Sequence, residues 1–169
     1  MKTAPLVLLM MGSDTDLPVM QEAADILRKF DVPYEMRISS AHRSPVRTLA
    51  LASEAAGRGV KIIIAGAGMA AHLAGVVASK TILPVIGVPM PGGALNGVDA
   101  LYATVQMPAG IPVATMAIGR AGAKNAGLFA VQILALSEPH LAGALLRYRA
   151  EMDRELEQKD AELQGRQNG

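Results

Sequence analysis

The chain has 169 residues, 51% hydrophobic, 18% charged and 3% aromatic, with a formal net charge of +1 and no cysteine. That length suits one well-buried core and is short for two ordinary domains, so residues 1–169 read as a single domain. Near-neutral charge without a Lys or Arg run, and only three Tyr and two Phe, exclude an electrostatic track and stacking platform for nucleic acid. The lack of cysteine excludes disulfides, thiolate metal sites and a Cys nucleophile, in keeping with a reducing, cytoplasmic setting. A charged fraction below the roughly 25% usual for soluble domains leaves much Ala, Val, Leu, Ile and Met on the outside, where subunit contacts are expected to cover it.

Residues 6–10 open the chain as a continuous apolar run, too short for a signal-peptide core and read as a strand covered on both faces. Asp16 or Thr15 is placed to cap a helix over 17–30, with Pro18 tolerated in its first turn. Residues 34–38 alternate polar and apolar, as near a sheet edge. Ser44-Pro45 opens a helix through residue 56 that Gly57 and Gly59 stop. Buried strands are expected again at 60–65, 84–88 and 112–118, with helices at 70–80, 98–105 and 121–136. Residues 62–78 are nearly apolar, but their glycine turn and His72 fit a strand followed by a helix and not a membrane span. A last helix, about 138–163, carries Leu141, Leu145, Tyr148, Met152 and Leu156 at near-heptad spacing, so it is expected to pack on a neighbouring subunit. The tail 164–169 reads as disordered. Repeated strand–helix order predicts an α/β fold with a parallel sheet and right-handed crossovers; its core spans about residues 6–136.

Ligands of such sheets bind beyond the carboxyl ends of the strands. Three stretches lie there: Gly12-Ser13-Asp14-Thr15-Asp16, Ser39-Ser40-Ala41-His42-Arg43-Ser44-Pro45 and Gly66-Ala67-Gly68-Met69-Ala70-Ala71-His72. Backbone N–H groups at the first favour an anion, for which Ser13 is suited, while Asp16 would repel phosphate and is suited to sugar hydroxyls. Simple capping by Ser13, Thr15 and Asp16 explains that loop equally well. In the second, Arg43 offers a planar fork to a phosphate beside Ser40 and His42, whose imidazole exchanges protons near neutral pH. In the third, Gly68 and Met69 belong to a tight, dry pocket of N–H groups and methyls that His72 enters from the following helix; close helix–sheet packing is the alternative.

Other chemistries fit less well. The third loop formally matches G-x-G-x-x-A but follows the third strand and lacks an acidic residue about 20 positions on. No His-x-x-x-His or comparable spacing supports a metal, and no G-x-S-x-G elbow supports a Ser hydrolase. The pair Asp14 and Asp16 is similar to that of a phosphorylated receiver domain, yet Gly66-Ala67-Gly68 stands where that fold needs an Asp.

Taken together, Met11-Gly12-Ser13-Asp14-Thr15-Asp16, Ser40-Ala41-His42-Arg43-Ser44-Pro45, Ala65-Gly66-Ala67-Gly68-Met69-Ala70-Ala71-His72-Leu73 and Val105-Gln106-Met107-Pro108 resemble the N5-carboxyaminoimidazole ribonucleotide mutases, the small PurE-type (class I) isomerases of purine synthesis. The resemblance extends over residues 6–136. It implies a three-layer α/β/α sandwich with a flavodoxin-like parallel sheet, a homo-octamer with an extended C-terminal helix, a ribonucleotide substrate, and no metal or other cofactor. Carried over by motif, Ser13 and Arg43 hold the phosphate, Asp16 the ribose, His42 transfers the proton, and His72 with the loop 66–71 surrounds the carboxylate. Met69 and Ala74 depart from the commonest third-loop pattern, Gly-Gly-Ala-Ala-His-Leu-Pro-Gly, which bears on pocket shape. The competing expectations are a carboxylase using free carbon dioxide, whose third loop is typically of Arg-Ser-Asn type, and a non-catalytic nucleotide or flavin module on the same fold.

Overall fold

In the computed structural model, which describes residues 4–167, five strands form one parallel sheet. They are β1 (Val7–Met11), β2 (Tyr34–Ile38), β3 (Ile62–Ala67), β4 (Val85–Pro89) and β5 (Ala114–Thr115), in the order β2-β1-β3-β4-β5. The helices are α1 (Leu17–Lys29), α2 (Pro45–Glu54), α3 (Leu73–Ala78), α4 (Val98–Val105), α5 (Arg120–Ala135) and α6 (Pro139–Gln167). The chain divides into two compact units, one ending at Val131 and the other beginning at Gln132.

In the first unit every residue of β1 and β4 is buried, as their unbroken apolar runs require of strands covered on both faces. Leu8, Met10, Ile63, Ala65 and Val85 face Ala52 of α2 and Leu73, Ala74 and Val77 of α3. On the other face, Gly66 makes room for α1: a Cβ there would stand 2.5 Å from the Met20 sulfur. Gly127 of α5 does the same against Ala23 and Ile26 of α1, with a Cβ 2.9 Å from the Ala23 carbonyl oxygen. This is the expected α/β/α sandwich with flavodoxin-like strand order. From β1 the chain goes outward to β2 and then returns past β1 to β3, so the connections after β1 and β3 diverge and open a crevice between them.

Several local expectations are corrected. Asp16 makes no side-chain cap on α1; Ser13 instead caps a one-turn 3-10 helix, Asp14–Asp16, that precedes it. α2 ends at Glu54, and a one-turn 3-10 helix, Ala56–Arg58, carries the chain to Gly59, whose φ of 95° ends the run. α3 begins at Leu73 and not near residue 70, because tight turns occupy the residues before it. β5 pairs over Ala114 and Thr115 only, not over 112–118; Pro112 has no N–H to extend the ladder at its start.

The second unit contains α6, 29 residues long. Leu141 and Tyr148 are buried, whereas every described residue from Arg149 onward is exposed. Residues 164–167, expected to be disordered, continue the helix; a single Gly165 costs only about 1 kcal/mol against Ala in a helix. Residues 168 and 169 lie outside the described part. Among the described residues no helix is long and apolar enough to cross a membrane.

Candidate active site

The loops after β1, β2 and β3 line a single cleft of about 450 Å³, within the roughly 300–1,000 Å³ typical of small-ligand pockets. Eight of the residues singled out from the sequence border it: Ser13 and Asp16 from the first loop, Ser40, His42 and Arg43 from the second, Gly68, Met69 and His72 from the third.

The first loop is organised by its own polar side chains. The Ser13 hydroxyl donates to Asp14 Oδ1 at 3.0 Å and accepts the Thr15 N–H at 3.3 Å, while the Ser13 N–H donates to Asp16 Oδ2 at 3.2 Å. Capping and cleft-lining are thus performed by the same residues. Burial pushes the half-buried Asp16 carboxyl above its ordinary value, and outweighs the Ser13 and Gly12 N–H groups and the positive charge of Arg43. Such a carboxyl suits hydroxyl partners better than a second anion.

The second loop is a closed turn. Ser44 Oγ donates to the Ser40 carbonyl at 3.1 Å and accepts the Ser40 N–H at 3.2 Å; the Ser44 N–H reaches the same carbonyl at 3.0 Å. Beneath it Ser39 and Thr48 hydroxyls meet at 2.8 Å in the interior. His42 and Arg43 therefore stand at the tip of a braced turn, with the Arg43 N–H donating to Ser40 Oγ at 3.1 Å. The Arg43 guanidinium crosses to the first loop, where Nη2 donates to the Gly12 carbonyl at 2.8 Å. Among the described residues it forms no ion pair, which leaves its other donors for an anion.

The third loop turns twice in succession: the Ala71 N–H donates to Met69 O and the His72 N–H to Ala70 O, each at 2.8 Å. His72 sits just before α3, as its N-cap residue, not within the helix as expected. Its Nδ1 lies 2.8 Å from Nε2 of His42, with the rings edge to face at 86° and centroids 4.9 Å apart. At that distance one ring nitrogen donates and the other accepts, the direction following the tautomers of the two rings.

Neither the His42–His72 bridge nor the Arg43–Gly12 bridge was legible in advance, since they join residues 30 and 31 positions apart. Thr15, Ala41 and Leu73 also line the cleft without having been given a ligand role from the sequence; only their place in the motifs signalled it. The third histidine, His140, is exposed on α6, with Nδ1 3.6 Å from Glu138 Oε2. Among the described residues no three His, Asp or Glu side chains gather as a metal site. The cleft can therefore grip a phosphate beside a diol-binding carboxyl and move a proton at an imidazole, over an apolar third wall.

The family model described as AIR carboxylase matches residues 6–155. An N5-carboxyaminoimidazole ribonucleotide mutase of Pyrococcus horikoshii is 56% identical over 160 residues, covering 95% of this chain and 89% of its own length. That of Thermotoga maritima is 52% identical over 160 residues, covering 95% and 92%. The crystal structure of Treponema denticola PurE shares the fold with a TM-score of 0.83 at 29% identity, covering 94% of this chain and 98% of that one.

Proposed function

This chain belongs to the AIR carboxylase family, and from that premise we infer that it is an isomerase converting N5-carboxyaminoimidazole ribonucleotide to 4-carboxy-5-aminoimidazole ribonucleotide in purine biosynthesis. The observation that carries the mechanism is the convergence of three loops on one cleft that holds both the bridged imidazoles and the Arg43 fork beside Gly12.

In this reading Ser13 and Arg43 hold the substrate phosphate and Asp16 the ribose hydroxyls, with Ser40 fixing the turn that presents Arg43. His42 gives a proton to the exocyclic nitrogen as its bond to the carboxyl carbon breaks; the electron pair stays on nitrogen and carbon dioxide leaves. The enamine-like C4 then uses its π pair to bond that carbon dioxide. Loss of the C4 proton to His42 restores the aromatic ring, so the proton count closes without an added cofactor. His72 orients His42 through the 2.8 Å bridge and, with Gly68 and Met69, borders the carboxylate. Proximity, not covalent attachment to the enzyme, favours recapture over escape.

We place the enzyme in the cytoplasm as a homo-octamer. Support for association comes from exposed apolar side chains: Val46, Ile82 and Tyr102 in the first unit, Met152, Leu156 and Leu163 on α6 in the second. Light scattering tests the octamer. The activity is tested by supplying the N5-carboxylated and the uncarboxylated ribonucleotide separately at low bicarbonate. Direct conversion of the first supports the mutase; turnover of only the second, dependent on added carbon dioxide, replaces it by the carboxylase.

A further inference from the structure

We propose that Met69 is a positioning residue that walls the mouth of the cleft and keeps released carbon dioxide beside C4 until it is recaptured. This role rests on the mutase reading. Three described non-glycine residues have positive φ: Asp31, Met69 and Asn96. Asp and Asn tolerate that conformation through short side chains that hydrogen-bond locally, but an unbranched thioether has no such compensation. Met69 nevertheless adopts φ 51°, and strain of this kind persists only where the surroundings over-determine it.

Those surroundings are specific. The Met69 carbonyl accepts the Ala71 N–H, tying the residue into the turn that delivers His72. Its side chain lies against Gly93 in the connection between β4 and α4, with Cγ and Sδ 3.3 and 3.8 Å from the point where a Gly93 Cβ would stand. Met69 thus bridges two loops at the rim, borders the cleft beside Gly68 and His72, and remains 64% exposed. A side chain so placed is not core filling. It also has no donor for phosphate or ribose. What an apolar arm over the rim does is exclude water and delay the exit of a small uncharged molecule.

The test is the partition of each turnover, measured in carbon dioxide-purged buffer with the N5-carboxylated ribonucleotide. The ratio of 4-carboxylated product to uncarboxylated ribonucleotide is compared in wild type, Met69→Gly, Met69→Ala and Met69→Leu. Removing the wall should raise the uncarboxylated share at least about threefold in the Gly and Ala variants, because recapture depends on proximity. Met69→Leu should partition like wild type, because an apolar side chain of similar volume keeps the rim covered. Met69→Gly should also melt no lower than Met69→Ala, since glycine accepts the positive φ without strain. An unchanged partition in Met69→Gly, an equal leak in Met69→Leu, or a glycine variant that melts below the alanine one overturns the role. A wild type that fails to convert the N5-carboxylated ribonucleotide overturns the mutase reading itself, whereas a converting wild type with a non-leaking Met69→Gly overturns only the part assigned to Met69.

Discussion

Replacing His42 and His72 by Asn, singly and together, probes whether the two imidazoles work as one unit. Both side chains are exposed and hydrogen-bonded to each other at 2.8 Å, so fold stability should change by no more than about 0.5 kcal/mol, as for most surface substitutions. His42→Asn deletes the proton carrier and should lower kcat about 10²- to 10⁴-fold, the usual share of general acid–base catalysis. At 1.36 kcal/mol per tenfold this is about 2.7–5.4 kcal/mol of barrier. His72→Asn removes one bond to an ionisable partner, about 1.5–3 kcal/mol, and should cost about 10- to 150-fold. Independent contributions would multiply to a loss of about 10³- to 10⁶-fold in the double variant, whereas a single unit loses no more than His42→Asn alone. Steady-state kinetics on the four proteins, with calorimetric binding of the product ribonucleotide, decide between these outcomes. Multiplicative losses would refute the dyad, and loss of ribonucleotide binding in His42→Asn would refute the assignment of His42 to proton transfer.

Arg43→Ala should raise KM about 10- to 150-fold with kcat kept within about tenfold, because a charge-assisted contact of about 1.5–3 kcal/mol is lost from binding; an unchanged KM removes Arg43 from the phosphate site. The raised carboxyl of Asp16 contributes stability that is fully present below its ordinary value of 3.8 and is lost as pH rises through its higher folded value. Melting of Asp16→Asn against wild type should therefore shift in the variant's favour as pH rises above 3.8, and a pH-independent difference contradicts the burial argument. Gly122 is buried at the start of α5, where an added Cβ would overlap the Ala117 carbonyl. Gly122→Ala should cost about 1–3 kcal/mol of overpacking, lowering Tm by about 2–4 °C per kcal/mol for a chain of this size, and an unchanged Tm would contradict it.

How far the sequence reading reached depended on the range of the interaction. The uninterrupted runs of β1 and β3 specify strands covered on both faces because no alternating pattern offers a solvent face; both formed, β3 at Ile62–Ala67, two residues beyond the expected 60–65. α4 runs from Val98 to Val105 as its local pattern indicates. Ends governed by a few hydrogen bonds were less accessible. Asp16 looks like the cap of α1, but its carboxylate turns back to the Ser13 N–H, a choice set by the one-turn helix before it. The start of α3 moved for a similar reason, the paired turns at Met69 to His72.

The residues of the candidate site can be listed from chemistry and strand order alone, since apolar runs dictate a parallel sheet and polar residues at its carboxyl rim have one end to occupy. Their pairing cannot. That His42 meets His72 across 30 positions, that Arg43 reaches past its own loop to Gly12, and that Met69 leans on Gly93 depend on the twist and spacing of β1, β2, β3 and β4. Local patterning acts over one or two turns of chain, whereas these contacts exist only after strands distant in sequence are set side by side and their loops confined to a common rim.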